Sequence, residues 1–413
     1  MKVLVIGSGG RCHAIVKALS KSEKVTRIYA APGNDGMSEL ATLINISATN
    51  VSELLAFAKI ENIDLTVVGP EVSLAAGVVN EFEKNKLKVF GPTKEAAQIE
   101  SSKSFAKDLM KKYGVPTAEF EIFNNYDKAL EYVSSKTLPI VLKYDGLAAG
   151  KGVVICNTMK EVKTNLKDML VDDKFGEPKL VIEEFLEGPE FSFMCMVNGE
   201  DVYPLVISQD HKRAFEKDMG PNTGGMGAYS GVPIISQADV DYALEYIMKP
   251  TAKALVKEGR PFKGLLYGGL MKTKTGVKVI EFNARFGDPE TEVVLPRLKS
   301  DLFDAFMNVI DGNPVNLEWN DQYTLGIVLA SKGYPGAYNK GDEIKGLENV
   351  KSEIYHMGTR YEDGKYMVNG GRVLIIVGEG KTLKEAQKNA LKDVEKITCD
   401  SLFYRKDIGY KAL

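Results

Sequence analysis

The stretch Val279-Ile280-Glu281-Phe282-Asn283-Ala284-Arg285-Phe286-Gly287-Asp288-Pro289-Glu290 decides how this chain is read. Residues 278–283 have the pattern of a β-strand, in which successive side chains leave on opposite faces. On strict alternation Val277, Val279, Glu281 and Asn283 share one face, while Ile280, Phe282 and Ala284 take the core-packed face. Two oxygen-bearing side chains then point together at a site outside the core. Oxygen donors at that spacing suit Mg²⁺, which takes few carboxylates and completes its shell with nucleotide phosphates. Arg285 follows, a planar donor fork that fits carboxylate or phosphate. Taken alone, the same residues also describe an edge strand ending in a polar turn with a surface salt bridge.

Outward from that strand, the first hundred residues alternate strand and helix. Strands are expected over 2–6, 27–30, 64–68 and 87–90, with a helix over about 13–20 after the first. Glycine or proline closes these strands, as expected where the loops of a parallel sheet collect at one edge to bind ligands. From about residue 101 a Lys/Ala-rich helix (103–112) leads into apolar strands separated by glycine-rich turns. From about residue 323 a third unit begins with an apolar strand, and a further strand (372–377) and a helix (383–397) give it an α+β character.

The chain has 413 residues, enough for roughly two to four domains with sizeable cores. A net charge of -3 and the lack of a Lys/Arg-rich block argue against nucleic acid or an anionic membrane as main partner, leaving small molecules. No stretch reads as a signal peptide or a membrane span. The four cysteines are scattered without a CxxC pair, which favours reduced thiols in a cytoplasm. Three histidines with no His/Cys cluster speak against zinc.

Gly7-Ser8-Gly9-Gly10-Arg11 lies between the first strand and its helix. It is either a phosphate-holding turn at a helix N-terminus or a plain tight turn. It lacks the GxGxxG spacing and acidic partner of a dinucleotide fingerprint. Lys143 ends a buried strand and precedes a loop with Gly146, Gly150 and Gly152, either a backbone cradle for phosphates or a hairpin turn. Glu183, Glu184, Phe185, Leu186 and Glu190 form a strand running into an acidic linker, whose backbone suits an adenine edge and whose carboxylate suits ribose hydroxyls. Residues 209–227 read as a polar loop of about twenty residues without an apolar period. His211 within it is better read as a packing or hydrogen-bonding residue than as a general base.

In this order, the segments Gly7 to Ala14, Asp145 to Gly152, Gln209 to Arg213, Gly220 to Tyr229 and Arg285 to Glu290 resemble those of the phosphoribosylamine-glycine ligases of the ATP-grasp superfamily. The resemblance runs end to end. It implies an N-terminal parallel-sheet substrate domain (1–102), an ATP-grasp core (103–322) with a mobile lid over about 120–188, and a small C-terminal α+β domain (323–413). It assigns Glu281 and Asn283 to Mg²⁺ or Mn²⁺, and Lys103, Lys143 and Gly150 to ATP phosphates. Glu183, Glu184, Phe185 and Leu186 would frame the adenine, and Glu190 the ribose. Gly9, Gly10, Arg11, Asn34, Glu71, Asp210, Lys212, Arg213, Asn222, Thr223, Gly224 and Arg285 would face phosphoribosylamine and glycine, with Arg285, Lys143 and Asp210 in the chemistry. The implied enzyme is a cytoplasmic ligase of purine biosynthesis, a monomer or weak homodimer. The chain departs from the family pattern at Cys12 (usually Glu), Tyr144 (usually small) and Glu292 (usually Gln). Residues 265–271 also lack the acidic metal ligand that many superfamily members carry on the preceding strand.

Overall fold

The Lys2–Gly7 strand lies at the centre of a five-stranded parallel sheet, flanked by Arg27–Pro32 and Leu65–Val68, with Thr42–Leu43 and Val89–Phe90 at the edges. Its buried run from Val3 to Ile6 is what a strand with parallel neighbours on both sides requires. The computed structural model describes residues 1–146, 152–172 and 179–413. Gly150, the one expected site residue among the others, therefore lies outside the described residues. The first helix, Gly10–Leu19, starts three residues earlier than its apolar spacing indicates. The Gly9 carbonyl already accepts the amides of Cys12 and His13, so the glycine turn is itself the helix start.

The Lys103–Tyr113 helix is capped by Ser102, whose hydroxyl accepts the Phe105 amide, and it stops at Gly114 with φ 69°. Beyond it four antiparallel strands form a separate sheet in the order Phe120–Phe123, Leu180–Glu184, Ile140–Tyr144, Val153–Cys156. The helices Tyr126–Ser134 and Met159–Leu170 complete this unit. The second helix starts with a reciprocal cap between Thr158 and Glu161. Ala129, Val133, Leu142, Val162, Leu166 and Ile182 form a hydrophobic core of its own, apart from the main one.

The main core surrounds a ten-stranded antiparallel sheet whose path runs Gly276–Asn283, Lys263–Thr273, Glu190–Asn198, Ser208–Asp210, Gly227–Ser230, Tyr323–Ser331, Arg372–Gly380, Glu353–His356. The sheet is continuous from the metal-candidate strand to the C-terminal strands. Two expectations are corrected here. Residues 209–227 are not one long loop but two strands of this sheet and a hairpin, Arg213–Phe215 with Met219–Asn222, between them. Strands of three or four residues are too short to show a period. The second correction concerns the Gly276–Asn283 strand. Its register slips opposite Gly269 and Leu270, leaving Ile280 as an extra residue. Val277 and Val279 consequently share the buried face with Phe282, and Glu281 and Asn283 lie on the other face with Lys278. Glu281 and Asn283 stay together, but for a different reason than strict alternation. No helix among the described residues is long and apolar enough to cross a membrane.

Candidate active site

The first half of the site lies on the seam between the four-stranded and ten-stranded sheets. Lys143, 4% exposed, is the last residue but one of Ile140–Tyr144, an inner strand of the small sheet, and reaches across the seam. Its ammonium donates to the Ile280 carbonyl at 2.9 Å and pairs with Glu183 at 3.0 Å. The bulge at Ile280 turns out the carbonyl that Lys143 meets. Lys103 opens its helix and donates to the Gly146 carbonyl at 2.9 Å. Burial pushes its ammonium down from the usual lysine range, and Glu281 opposes that shift while Lys143 adds to it. Asp145 accepts the Ser104 amide at 3.1 Å, a carboxylate at a helix N-terminus that fastens the small sheet to the same helix. Two lysines and the Glu281/Asn283 face thus converge on one place.

The other expected nucleotide residues are distributed unevenly. The Glu183 carboxylate is buried between Lys107 and Lys143 and is not turned toward the exposed end of its strand, where an adenine edge was expected. Glu184 and Phe185 are exposed at the end of the strand, Leu186 is half-buried, and Glu184 pairs with Lys278 at 3.0 Å. Glu190 is engaged by Lys212 at 3.1 Å, and Lys212 also holds Asp210 at 2.9 Å.

The second half centres on Arg285. Its guanidinium meets Glu100 at 2.9 Å and Glu71 at 3.3 Å and donates to Asn283 Oδ1 at 3.2 Å. Arg11 donates to the Phe286 carbonyl at 2.9 Å and lies 3.6 Å from Glu71 and 3.7 Å from Asp288. Arg372, from the C-terminal part of the sheet, meets Asp288 at 2.9 Å. Burial pushes Glu71 up, but Arg11 and Arg285 outweigh it and hold the group below the usual carboxylate range. Beside these residues opens a cavity of about 500 Å³ lined by Ser8, Gly9, Gly10, Asn34, Asp288 and Arg372, among others. Gly224 sits at its rim, donating to the Tyr334 hydroxyl at 3.0 Å and accepting from Arg372 at 2.8 Å. Thr223 bonds the Lys212 carbonyl. Arg213 and Asn222 are not brought to this cavity: they pair with each other across the hairpin, where Arg213 donates to Gly220 and Asn222 is exposed. His211 is fully buried and accepts the Gly409 amide at 2.9 Å.

Models of phosphoribosylglycinamide synthetase match the chain in three consecutive pieces: the N domain over residues 1–100, the ATP-grasp (A) domain over 101–291 and the C domain over 324–411. The chain belongs to this family. Phosphoribosylamine–glycine ligase of Halalkalibacterium halodurans is 55% identical over 417 aligned residues, covering 100% of this chain and 97% of that one. The Listeria innocua ligase is 50% identical, with both chains fully covered. The crystal structure of Thermotoga maritima phosphoribosylamine–glycine ligase superposes with a TM-score of 0.88 at 34% identity, covering 99% of this chain and 100% of that one. Campylobacter jejuni biotin carboxylase shares the fold alone, with a TM-score of 0.75 at 14% identity over 98% of this chain and 93% of that one.

Within the family fold, several residues that sequence reasoning left unassigned complete the site. Lys107 is buried and pairs with Glu183 at 2.9 Å. Its one signal was position, four residues past Lys103 on the same helix face. Glu100 anchors Arg285, Asp288 anchors Arg11 together with Arg372, and Tyr267 donates to the buried Glu290 at 2.6 Å. Two of the three departures from the family pattern are neighbours. Cys12 is buried, and burial pushes its thiol up to about 12. Glu292 is fully buried, and neither carboxyl oxygen has a hydrogen-bond partner among the described residues. It packs against Gly10, where an added Cβ would lie 2.2 Å from its Oε1. The third departure, Tyr144, is buried at the end of the Ile140–Tyr144 strand.

Proposed function

We propose that the chain joins glycine to 5-phosphoribosylamine, coupled to cleavage of ATP, giving ADP, phosphate and glycinamide ribonucleotide in the cytoplasm. The observation that carries this reading is the convergence of Lys103, Lys143 and the Glu281/Asn283 face at the seam, with Arg285 two residues further on. Lysines from two elements and a carboxylate facing them form a polyphosphate site, and the arginine-lined cavity next to it suits a phosphorylated sugar. The resemblance to ligases of that name, over the full length, supports the choice of substrates. Four free cysteines, three of them buried, agree with a reducing compartment.

Glu281 and Asn283 fit a divalent ion. They share a face, and the Glu281 carboxylate accepts no hydrogen bond among the described residues. No group of three or more His, Cys, Asp or Glu there could hold a metal, so phosphates and water would complete the shell, as Mg²⁺ prefers. When bound, such an ion neutralises phosphate charge and orients the transferring group.

In the reaction we infer, the glycine carboxylate attacks the γ-phosphorus, ADP leaves, and the amine of phosphoribosylamine then displaces phosphate from glycyl phosphate. Lys143 and Arg285 stabilise charge that develops on the transferring phosphoryl group. Arg285 is held in place by Glu71 and Glu100 before substrate arrives, so little reorganisation is needed. Gly9, Gly10 and Arg11 at the helix start, with Asn34 and Gly224, face the sugar phosphate. The Lys212–Asp210 pair closes the other end, and no protein nucleophile is required. ADP release measured with ATP, glycine or phosphoribosylamine omitted in turn tests the whole reading. Stoichiometric ADP is expected only with all three present. Release that needs neither glycine nor phosphoribosylamine would mean ATP hydrolysis uncoupled from ligation, and no release with all three present would assign the fold to a different acid and amine.

A further inference from the structure

In the buried cluster around Glu183, two ammonium groups share a single carboxylate in direct contact. Lys107 and Lys143 both pair with this one carboxylate, at 2.9 Å and 3.0 Å, and the three side chains are 3%, 6% and 3% exposed in the order Lys107, Lys143, Glu183. Lys107 also donates to the Thr117 hydroxyl at 2.7 Å, which donates to the Val279 carbonyl at 2.8 Å. Its ammonium stands 5.6 Å from the centre of the Phe120 ring. The chain of contacts runs from the Lys103–Tyr113 helix through the small sheet to both carbonyls flanking the bulge, those of Val279 and Ile280.

A second buried ammonium beside one carboxylate is costly unless an anion arrives to share it. Lys143 is the member placed to meet that anion, because its remaining contact among the described residues is a single carbonyl on the far side of the seam. To take a phosphate oxygen it has to loosen its hold on Glu183. Without another cation, that would leave Glu183 buried and unpaired.

We propose that Lys107 belongs to the nucleotide site as a positioning residue, keeping Glu183 neutralised so that Lys143 is free to bind an ATP phosphate. The inference rests on the ATP reading above. Its electrostatics agree. Burial lowers the Lys107 ammonium to about 8, Glu183 and Glu184 oppose that shift, and Lys143 reinforces it. The charged groups facing Lys107 are thus Glu183 and Glu184 from one strand and Lys143 from the next, with Thr117 and the Phe120 ring closing the remaining sides.

The test is equilibrium binding of a non-hydrolysable ATP analogue with Mg²⁺ to the full-length chain, for wild type, Lys107→Met, Lys107→Arg and Lys143→Met. Lys107→Met, folded by circular dichroism, is expected to bind about tenfold or more weakly, with Lys107→Arg restoring most of the affinity. Wild-type affinity is expected to fall between pH 7 and pH 9 as Lys107 loses its proton, and the always-charged Lys107→Arg to lose less. That slope decides the matter if Lys107→Met does not fold. Lys107→Met binding within twofold of wild type, or identical pH slopes for wild type and Lys107→Arg, overturns the proposal. If Lys143→Met binds as wild type does, the ATP reading itself fails. If only Lys143→Met is weakened, the role of Lys107 alone falls.

Discussion

Two buried ionic clusters of the candidate site differ in their balance. Around Glu183, two lysines share one carboxylate. Around Arg285, three arginines (Arg11, Arg285 and Arg372) meet three carboxylates (Glu71, Glu100 and Asp288). The first cluster joins a small sheet with its own core to the large sheet, and its cations are flexible point charges. The second joins the parallel sheet, the metal-candidate strand and the C-terminal strands through rigid guanidinium forks. An unbalanced cluster has affinity to offer an incoming anion, whereas a balanced one is a scaffold that fixes donors in place. The same residue chemistry thus serves recognition in one place and preorganisation in the other.

The largest effect should come from unbalancing the scaffold. Arg285→Met leaves Glu100 buried without its cation, and breaking a buried pair on one side costs about 3–5 kcal/mol. Urea unfolding at pH 8 should show that loss. Burial already pushes Glu100 up from the usual carboxylate range while Arg285 pulls it down, so without the arginine Glu100 should take a proton more readily. The penalty is therefore expected to shrink at pH 5, where protonation relieves the orphaned charge. An equal loss at both pH values would mean that the arginine stabilises through packing and not through charge.

Removing the excess cation should give the opposite signature. Lys143→Met leaves Lys107 paired with Glu183, so stability is expected to stay within about 1 kcal/mol of wild type. Turnover, however, should fall on the order of 10²–10³-fold, the usual consequence of losing one preorganised donor to developing charge. Loss of stability comparable to that of Arg285→Met would erase the distinction between the clusters.

Much of this division is written in the chain. The strands at 2–6 and 64–68 are apolar runs closed by Gly or Pro, and Lys143 ending a buried strand before a glycine-rich loop marks a cation where a backbone can approach phosphate. Other features depend on partners distant in sequence. The bulge at Ile280 exists because the neighbouring strand pairs in a shifted register, and no residue in 276–283 announces it. Lys107 looks like one more lysine on an amphipathic helix until Glu183 is brought beneath it. Arg372 and Asp288 are 84 residues apart and meet only when the ten-stranded sheet closes. The strands between 208 and 230 are three or four residues long, and tertiary pairing, not local pattern, makes them strands.

The smallest effect concerns Glu292, an acid beside the scaffold that no arginine pairs with among the described residues. Burial, and then the nearby charge of Asp288, push Glu292 well above the usual carboxylate range, and neither oxygen finds a hydrogen-bond partner among the described residues. A carboxyl whose folded-state pKa is raised gives up stability as pH climbs from its unfolded value, near 4.3, through the folded one. Glu292→Gln keeps the shape and removes the ionisable proton. The variant should match wild type near pH 4 and exceed it by about 1–3 kcal/mol at pH 8, because each unit by which burial raises a carboxyl pKa is worth about 1.4 kcal/mol once the pH exceeds it. Thermal or urea unfolding across that range measures the difference directly. If Glu292 were instead ionised and served by Arg372, the glutamine variant would be the less stable one at pH 8, and the gap would close on acidification. In that case the arginine cluster would carry a fourth carboxylate, and the charge balance that separates the scaffold from the lysine site would no longer hold.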